Sequence, residues 1–279
     1  QATRARIATD LGLDRPLYVQ YVDYVGNLVT GDMGYSYRSR TAVAPRVFAK
    51  LPATIELALA ATVVAVVISI PLGVVSATRR HSAPDYGATL FSLLGISTPN
   101  FWLGVMLVIV FAVQFEVFPT SQRPVGLLGA VGDLVVVGGD RAAFALPLDV
   151  GAFLSDTKNW LFHIFLPAIT LGTYFTALIT RLTRSGMLDQ LGQGYVRAAR
   201  AKGIPETLVG LQLGTLIGGA VITEAVFDWP GLGSLVIEAI NNRDWPLIQG
   251  SLIVIGAGFV LVNILVDALY ARLNPQVME

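Results

Sequence analysis

The chain has 279 residues, 54% of them hydrophobic and only 14% charged, and a mean hydropathy of +0.64. Soluble domains carry about 25% charged residues, so this composition sets much of the surface against lipid rather than water. Formal net charge is zero, which removes any global field for nucleic acid, and the lack of cysteine excludes disulfides, thiolate nucleophiles and cysteine-held metals.

Taken in chain order, the first residue is Gln1 and no apolar leader with a basic flank precedes it, so a first transmembrane helix is expected to be absent from the sequence. Residues 1–50 are polar enough for water. Within them Leu17 to Val29 places apolar residues at helical spacing, which predicts a short amphipathic helix ending near Gly31. Gly34-Tyr35-Ser36-Tyr37 reads as loop or turn. Five apolar stretches follow: Leu57–Ala77, Tyr86–Phe118, Leu161–Thr180, Leu208–Phe227 and Leu247–Tyr270. A spanning helix needs about 20 residues. The second stretch is longer than that and is interrupted by Ser97-Thr98-Pro99-Asn100, so a helix bent or broken at Pro99 is expected, with part of it at the interface. Residues 119–160 form a long loop in which Val135-Val136-Val137 could pair as a short strand.

Lysine and arginine counts set the orientation. The 78–86 turn carries two and the 181–206 segment five, against three across 119–160 and one across 228–246. That places 78–86, 181–206 and the C-terminus in the cytoplasm. The seven in residues 1–50, expected outside, run against the rule. Trp160, Trp229 and Trp245 fall near outer span boundaries, where indole either lies in the interface or packs within loops.

Sequence patterns for catalysis are lacking. There is no H-E-x-x-H and no G-x-S-x-G, and none of Lys50, Lys158 and Lys202 sits in a G-x-x-x-x-G-K-[ST] phosphate loop. The chain is therefore expected to be non-catalytic, with no cofactor of its own. Glu56, Glu224 and Asp267 lie in or at the ends of apolar spans, where a carboxylate is costly and marks either function or a paired structural site. Glu56 and Asp267 read as interfacial or structural. Glu224 either touches a transport path or holds a local hydrogen bond. Gly214-x-x-x-Gly218 reads as a close-packing surface between helices.

One segment differs in kind: Gln193-Gly-Tyr-Val-Arg-Ala-Ala-Arg-Ala-Lys-Gly203, basic, helix-forming and closed by glycine, on the predicted cytoplasmic side. By physics alone it is a basic juxtamembrane helix facing anionic lipid. It also resembles the cytoplasmic E-A-A-x-x-x-G loop of ABC importer permeases, with Arg197 in the glutamate position, and its wording is similar to that of the peptide and nickel uptake branch. Further pieces resemble that branch in order: Leu11-Gly-Leu-Asp-Arg-Pro-Leu-Tyr18, Gly31-Asp-Met-Gly-Tyr-Ser36, Leu51-Pro-Ala-Thr-Ile-Glu-Leu57, Ser97-Thr-Pro-Asn-Phe-Trp102, Arg181-Leu-Thr-Arg184, Gly218-Gly-Ala-Val-Ile-Thr-Glu224, Trp229-Pro-Gly-Leu-Gly233, and Asn263-Ile-Leu-Val-Asp267 with Asn274-Pro275.

The resemblance implies an all-α polytopic membrane protein of the type I permease fold, with five of six transmembrane helices visible. Residues 1–50 would be an extracytoplasmic segment and 51–274 the transmembrane domain, including the outer loop 119–160 and the cytoplasmic coupling loop 181–206. It implies a permease subunit forming half of a path for di- or oligopeptides. Its partners would be a homologous second permease, two ATP-binding subunits that carry ATP and magnesium, an extracytoplasmic binding protein, and membrane lipid. Tyr195, Arg197, Ala198, Ala199, Arg200, Lys202 and Gly203 would form the ATPase-coupling loop. Asn100, Gln212 and Glu224 are candidates for lining the path. After Gly203-Ile-Pro-Glu206 the family continues through a coupling helix, whereas this sequence passes directly to Thr207. A Cα separation far above the roughly 3.8 Å of a bonded pair is expected there. Nickel chelates or sugars as cargo, an ATP-independent transporter or channel subunit, and a membrane scaffold are the alternatives.

Overall fold

The computed structural model describes residues 14–120, 122–123, 126, 150–191, 224 and 227–273. Helix α1 is Leu17–Val29, the segment that the apolar spacing marks out. It closes as the capping rules for glycine expect. Gly31 adopts φ +90°, its N–H bonds Leu28 O, and the Asp32 N–H bonds Asn27 O. None of its side chains is fully buried, and Leu17, Tyr21 and Val22 are largely exposed, as on a helix lying in a membrane interface.

Tyr35 and Ser36, read from sequence as loop or turn, form instead strand β1 (Tyr35–Ser36) of a small antiparallel hairpin with β2 (Thr41–Ala42). Two residues per strand are too few to show an alternating pattern, which is why the sequence conceals the pairing. Helix α2 follows without a break as Val43–Thr78, and its 36 residues include Pro52 and Pro71. At 1.5 Å per residue it is about 54 Å long, against a hydrocarbon core of about 30 Å. It begins well before the apolar stretch at Leu57, in turns that carry Arg46 and Lys50 but bury Val43 and Val47.

The second apolar stretch is broken where expected. Helix α3 (Ala83–Ser97) and helix α4 (Asn100–Leu107), which continues as a π-helical turn over Val108–Gln114, are bent by 106°. Pro99 forces Thr98 into extended backbone, ψ 124°, which a continuing helix cannot take. Helix α5 is Val150–Leu191, with Pro167 inside it. Its first turns correct the reading of 119–160 as one loop. Val150 to Trp160 includes Asp156, Lys158 and Asn159, so hydropathy alone hides a helix that rises out of the membrane. Helices α6 (Leu232–Asn241) and α7 (Trp245–Leu273) complete the described chain. The expected span at 208–227, apart from Glu224 and Phe227, lies outside the described residues, as do Val135-Val136-Val137 and the side chain of Asp267. Among the described residues three helices are long and apolar enough to cross a membrane, and the bent α3–α4 pair, counted as one broken span, brings the number to four.

Helices α2 and α5 form the centre. Leu57, Ala61 and Ala65 pack with Ile164, Ala168, Leu171 and Phe175 in one cluster, joined by Trp229. The approach is close because small residues line it: a Cβ on Gly172 would sit 2.9 Å from the Ala61 carbonyl oxygen, and one on Gly73 2.6 Å from Thr183 Cβ. The hydroxyls of Thr170, Thr173 and Thr176 donate to carbonyls four residues earlier in their own helix, so these three polar groups are satisfied locally. A second cluster at one end joins Val43, Val47, Leu232, Leu235 and Leu247.

Long-range polar contacts show which loops share a side. At one end Ser36 donates to Asp244, Arg46 pairs with Glu238 at 3.0 Å, and Arg123 pairs with Glu56 at 2.6 Å. At the other end Arg184 pairs with Asp85 at 2.7 Å. Residues 35–46 thus lie on the side of 228–246, where the alternation of spans rather than their own charge count puts them, and 78–86 lie on the side of the α5 C-terminus, as the charge counts group them.

Candidate translocation and coupling site

At the end that carries Arg79, Arg80 and His81, Asp85 sits in the first turn of α3 and is 3% exposed. A lone carboxylate there would be costly to bury, and it is fully met by donors. Ser76 Oγ donates to Oδ1 at 2.6 Å, and the Arg184 guanidinium forks onto both oxygens at 2.7 and 3.0 Å. The His81 backbone N–H adds a fourth bond at 2.9 Å. This bidentate pair locks the ends of α2, α3 and α5 together. Beside it opens a cleft of about 290 Å³ lined by Ser76, Thr89, Ser92, Thr180, Arg181 and Arg184, among others. Helix α5 runs on beyond Arg184 to Leu191, two residues before the Gln193–Gly203 segment singled out in the sequence.

At the opposite end Glu224 is completely buried. Its carboxylate accepts from Thr54 Oγ1 at 2.7 Å, the Gly233 N–H at 2.6 Å and the Ser234 N–H at 3.2 Å. Those two N–H groups belong to the first turn of α6, which has no capping side chain of its own, since Gly231 occupies the N-cap. Glu224 thus caps α6 from a distance and ties it to α2 through Thr54, whose hydroxyl also takes the Leu232 N–H at 2.7 Å. Trp229 is fully buried beneath this turn and donates its indole N–H to Ala53 O at 2.8 Å, so it packs inside the protein rather than in the interface. Glu56 has the structural role that its place at a span end suggests: Arg123 Nη2 and Nε reach it at 2.6 and 3.0 Å, and Trp160 Nε1 at 3.0 Å.

Of the residues singled out from sequence, Glu224 is buried as described and Asn100 is half-buried as the first residue of α4, at the break in the span. The structure does not bring these two together. Tyr195, Arg197, Ala198, Ala199, Arg200, Lys202, Gly203 and Gln212 lie outside the described residues, as does the Glu206–Thr207 junction. The Asp85–Arg184–Ser76 cluster was missed. Its signal was a carboxylate and an arginine of opposite sign closing two different spans on the same predicted side.

Comparison with known proteins decides the family. The family model described as the binding-protein-dependent transport system inner membrane component matches residues 69–209 and 207–279. The chain belongs to this family. The two matched stretches overlap over residues 207–209, just after the sequence passes from Glu206 to Thr207. The chain is also 38% identical over 299 aligned positions to the dipeptide transport system permease protein DppB of Escherichia coli K12, covering 98% of this chain and 84% of that protein. It is 41% identical to the di/tripeptide transport system permease protein DppB of Pseudomonas aeruginosa, covering 96% of this chain and 82% of the relative. It is 37% identical to the oligopeptide transport system permease protein AppB of Bacillus subtilis, covering 99% and 85%. These similarities run the length of the chain, as the ordered motifs do.

Proposed function

We propose that this chain is a permease subunit of an ATP-driven importer of short peptides, embedded in the cytoplasmic membrane with its C-terminus inside. The observation that carries the reading is near full-length similarity to permeases named for dipeptides, tripeptides and oligopeptides. Charge placement supports the orientation: Arg79, Arg80, Arg181 and Arg184 cluster at one end of the helices.

In this account the path runs between the chain and a homologous second permease. Two separate ATPase subunits bind ATP and magnesium, and an extracytoplasmic binding protein delivers the peptide. The segment from Tyr195 to Gly203 meets an ATPase subunit. ATP favours the closed ATPase pair, and that differential affinity biases a two-state membrane domain. Helix α5 carries the bias inward because it continues from the coupling segment to the packed α2–α5 core. The Arg184–Asp85 fork makes the cytoplasmic ends of α2, α3 and α5 move as a unit.

Purification of the full-length protein from its native membrane, with mass spectrometry of what stays bound, tests the assembly. A second permease with one or two ATPases is the expected result. A lone chain that moves substrate without ATP would overturn it.

A further inference from the structure

The cleft of about 290 Å³ beside the Asp85–Arg184 fork runs between α3 and α5. Two contacts frame it. At one end the fork bridges the helices at 2.7 and 3.0 Å. At the other the helices touch so closely that a Cβ on Gly95 would stand 2.8 Å from Ala177 Cβ. Between these contacts they part, and Thr89, Leu93 and Ile96 of α3 face Arg181 and Ser185 of α5 across the opening.

Several polar groups of the lining are already spent. Ser76 and Arg184 donate to Asp85, Ser92 donates to Ala88 O at 2.8 Å, and Thr180 donates to Ser69 O at 3.4 Å. The charge of Arg184 is balanced by Asp85. Three exposed donors are left over at the mouth. The Arg181 guanidinium and the hydroxyls of Thr89 and Ser185 have no ion-pair or hydrogen-bond partner among the described residues. Together they offer one uncompensated positive charge and two hydroxyl donors, a set that matches a singly charged oxyanion. Deeper in, the lining turns apolar at Leu93 and Ile96. At 1.5 Å per residue Ile96 stands about 10 Å beyond Thr89 along α3. That direction leads away from the end carrying Arg79 and Arg80 and toward the middle of the membrane. The side wall is open to lipid, since Leu90 and Leu93 are 57% and 56% exposed.

We propose that this cleft holds an anionic phospholipid of the cytoplasmic leaflet, its phosphate met by Arg181, Thr89 and Ser185 and one acyl chain led inward along Leu93 and Ile96. The gradient from cation to apolar floor, aligned with the helices that cross the membrane, is what separates a lipid from a free anion or a protein carboxylate. Either of those would use the mouth and leave the apolar floor empty. A volume at the bottom of the ~300–1,000 Å³ range of ligand pockets admits a phosphate and the first carbons of a chain. The assignment to the cytoplasmic leaflet rests on the orientation in the importer reading. A lipid seated between the fork and the Gly95–Ala177 contact would brace α3 against α5 at the end that the fork holds together.

The test uses the whole transporter, with its ATPase subunits, delipidated in detergent and titrated with phosphatidylglycerol or phosphatidylcholine. The readout is the Kd of the tightest bound lipid by native mass spectrometry. The wild type is expected to prefer phosphatidylglycerol. Arg181→Glu, which reverses the one free charge, is expected to weaken that binding about twentyfold, and Arg181→Lys much less. Leu93→Trp fills the apolar floor without touching a charge and should weaken it as well. Arg79→Glu, at the same end but outside the cleft, should leave it nearly unchanged. These side chains are exposed, so the variants should fold, and retention of the ATPase subunits verifies it. Equal affinity in the wild type and Arg181→Glu would overturn the proposal, and so would an equal loss in Arg79→Glu, the mark of a diffuse basic surface. Displacement of the lipid by inorganic phosphate would make the free anion the occupant, and a wild type that takes up no lipid at this site would leave the cleft to the second permease. Either result overturns the lipid. Purification without ATPases would refute the importer reading alone, and Arg181-dependent lipid would still be found on the chain.

Discussion

Replacing Glu224 with glutamine changes one atom and separates a structural anchor from a residue of the path. The carboxylate takes three donors, Thr54 Oγ1 at 2.7 Å and the Gly233 and Ser234 N–H groups at 2.6 and 3.2 Å. A glutamine has one acceptor oxygen. Turned toward α6, that oxygen keeps both N–H bonds but points its amide N–H₂ at Thr54 Oγ1. The hydroxyl already accepts from the Leu232 N–H, and its own proton loses its partner. Turned the other way, two pairs of donors face each other. The better arrangement loses one hydrogen bond and reduces two charge-assisted bonds to neutral ones, a cost of about 1–3 kcal/mol. That corresponds to a fall of roughly 2–10 °C in melting temperature for a chain of this size. Glu224→Ala leaves all three donors without a partner in a dry site and should cost about 3–5 kcal/mol. The assay is thermal unfolding of the purified transporter beside peptide uptake, and uptake should fall only in proportion to folded protein. A Glu224→Gln transporter as stable as wild type but unable to transport would refute the reasoning and make the carboxylate part of the path.

Two other outcomes follow from the same geometry, and a third from the proposed coupling role. Arg184→Ala strands the buried Asp85 carboxylate and should lower stability by about 2–4 kcal/mol, below the usual cost of breaking a buried pair because the Arg184 side chain is 30% exposed; Arg184→Lys, which keeps the charge but not the fork, should fall between the two in the same melting assay. Gly73→Val drives a side chain into Thr183, where even a Cβ would stand 2.6 Å away, and should cost about 1–3 kcal/mol by overpacking, read as reduced yield of assembled, monodisperse transporter. If the proposed coupling role of Tyr195–Gly203 holds, replacing Gly203, whose lack of a Cβ gives it wide backbone freedom, by a bulky residue is expected to leave ATP hydrolysis running while peptide uptake is lost.

The parts of the fold legible in sequence are those governed by a strong one-dimensional signal. Helix α1 was readable from its periodicity, and the break between α3 and α4 from Pro99, because each rests on local chemistry. Span cores at Leu57–Ala77, Leu161–Thr180 and Leu247–Tyr270 were readable because lipid demands uninterrupted apolar length. The ends of α2 and α5 were not, since a helix that leaves the membrane is held by tertiary contacts such as Glu56 with Arg123 and Trp160, which no window of sequence contains. The site divides in the same way. Glu224 stood out as a carboxylate in an apolar span, but its choice between path and anchor depended on Thr54, distant in sequence. Asp85 and Arg184 each looked like an ordinary charge at a span end until the fold brought them together.

The most direct test of the central claim is peptide uptake into proteoliposomes holding this chain with its co-purified partners, measured with the binding protein present and ATP enclosed. Accumulation of a labelled dipeptide or oligopeptide that requires ATP, the binding protein and this chain together is the predicted result. Uptake that proceeds without ATP, or that is unchanged when this chain is left out, would contradict it.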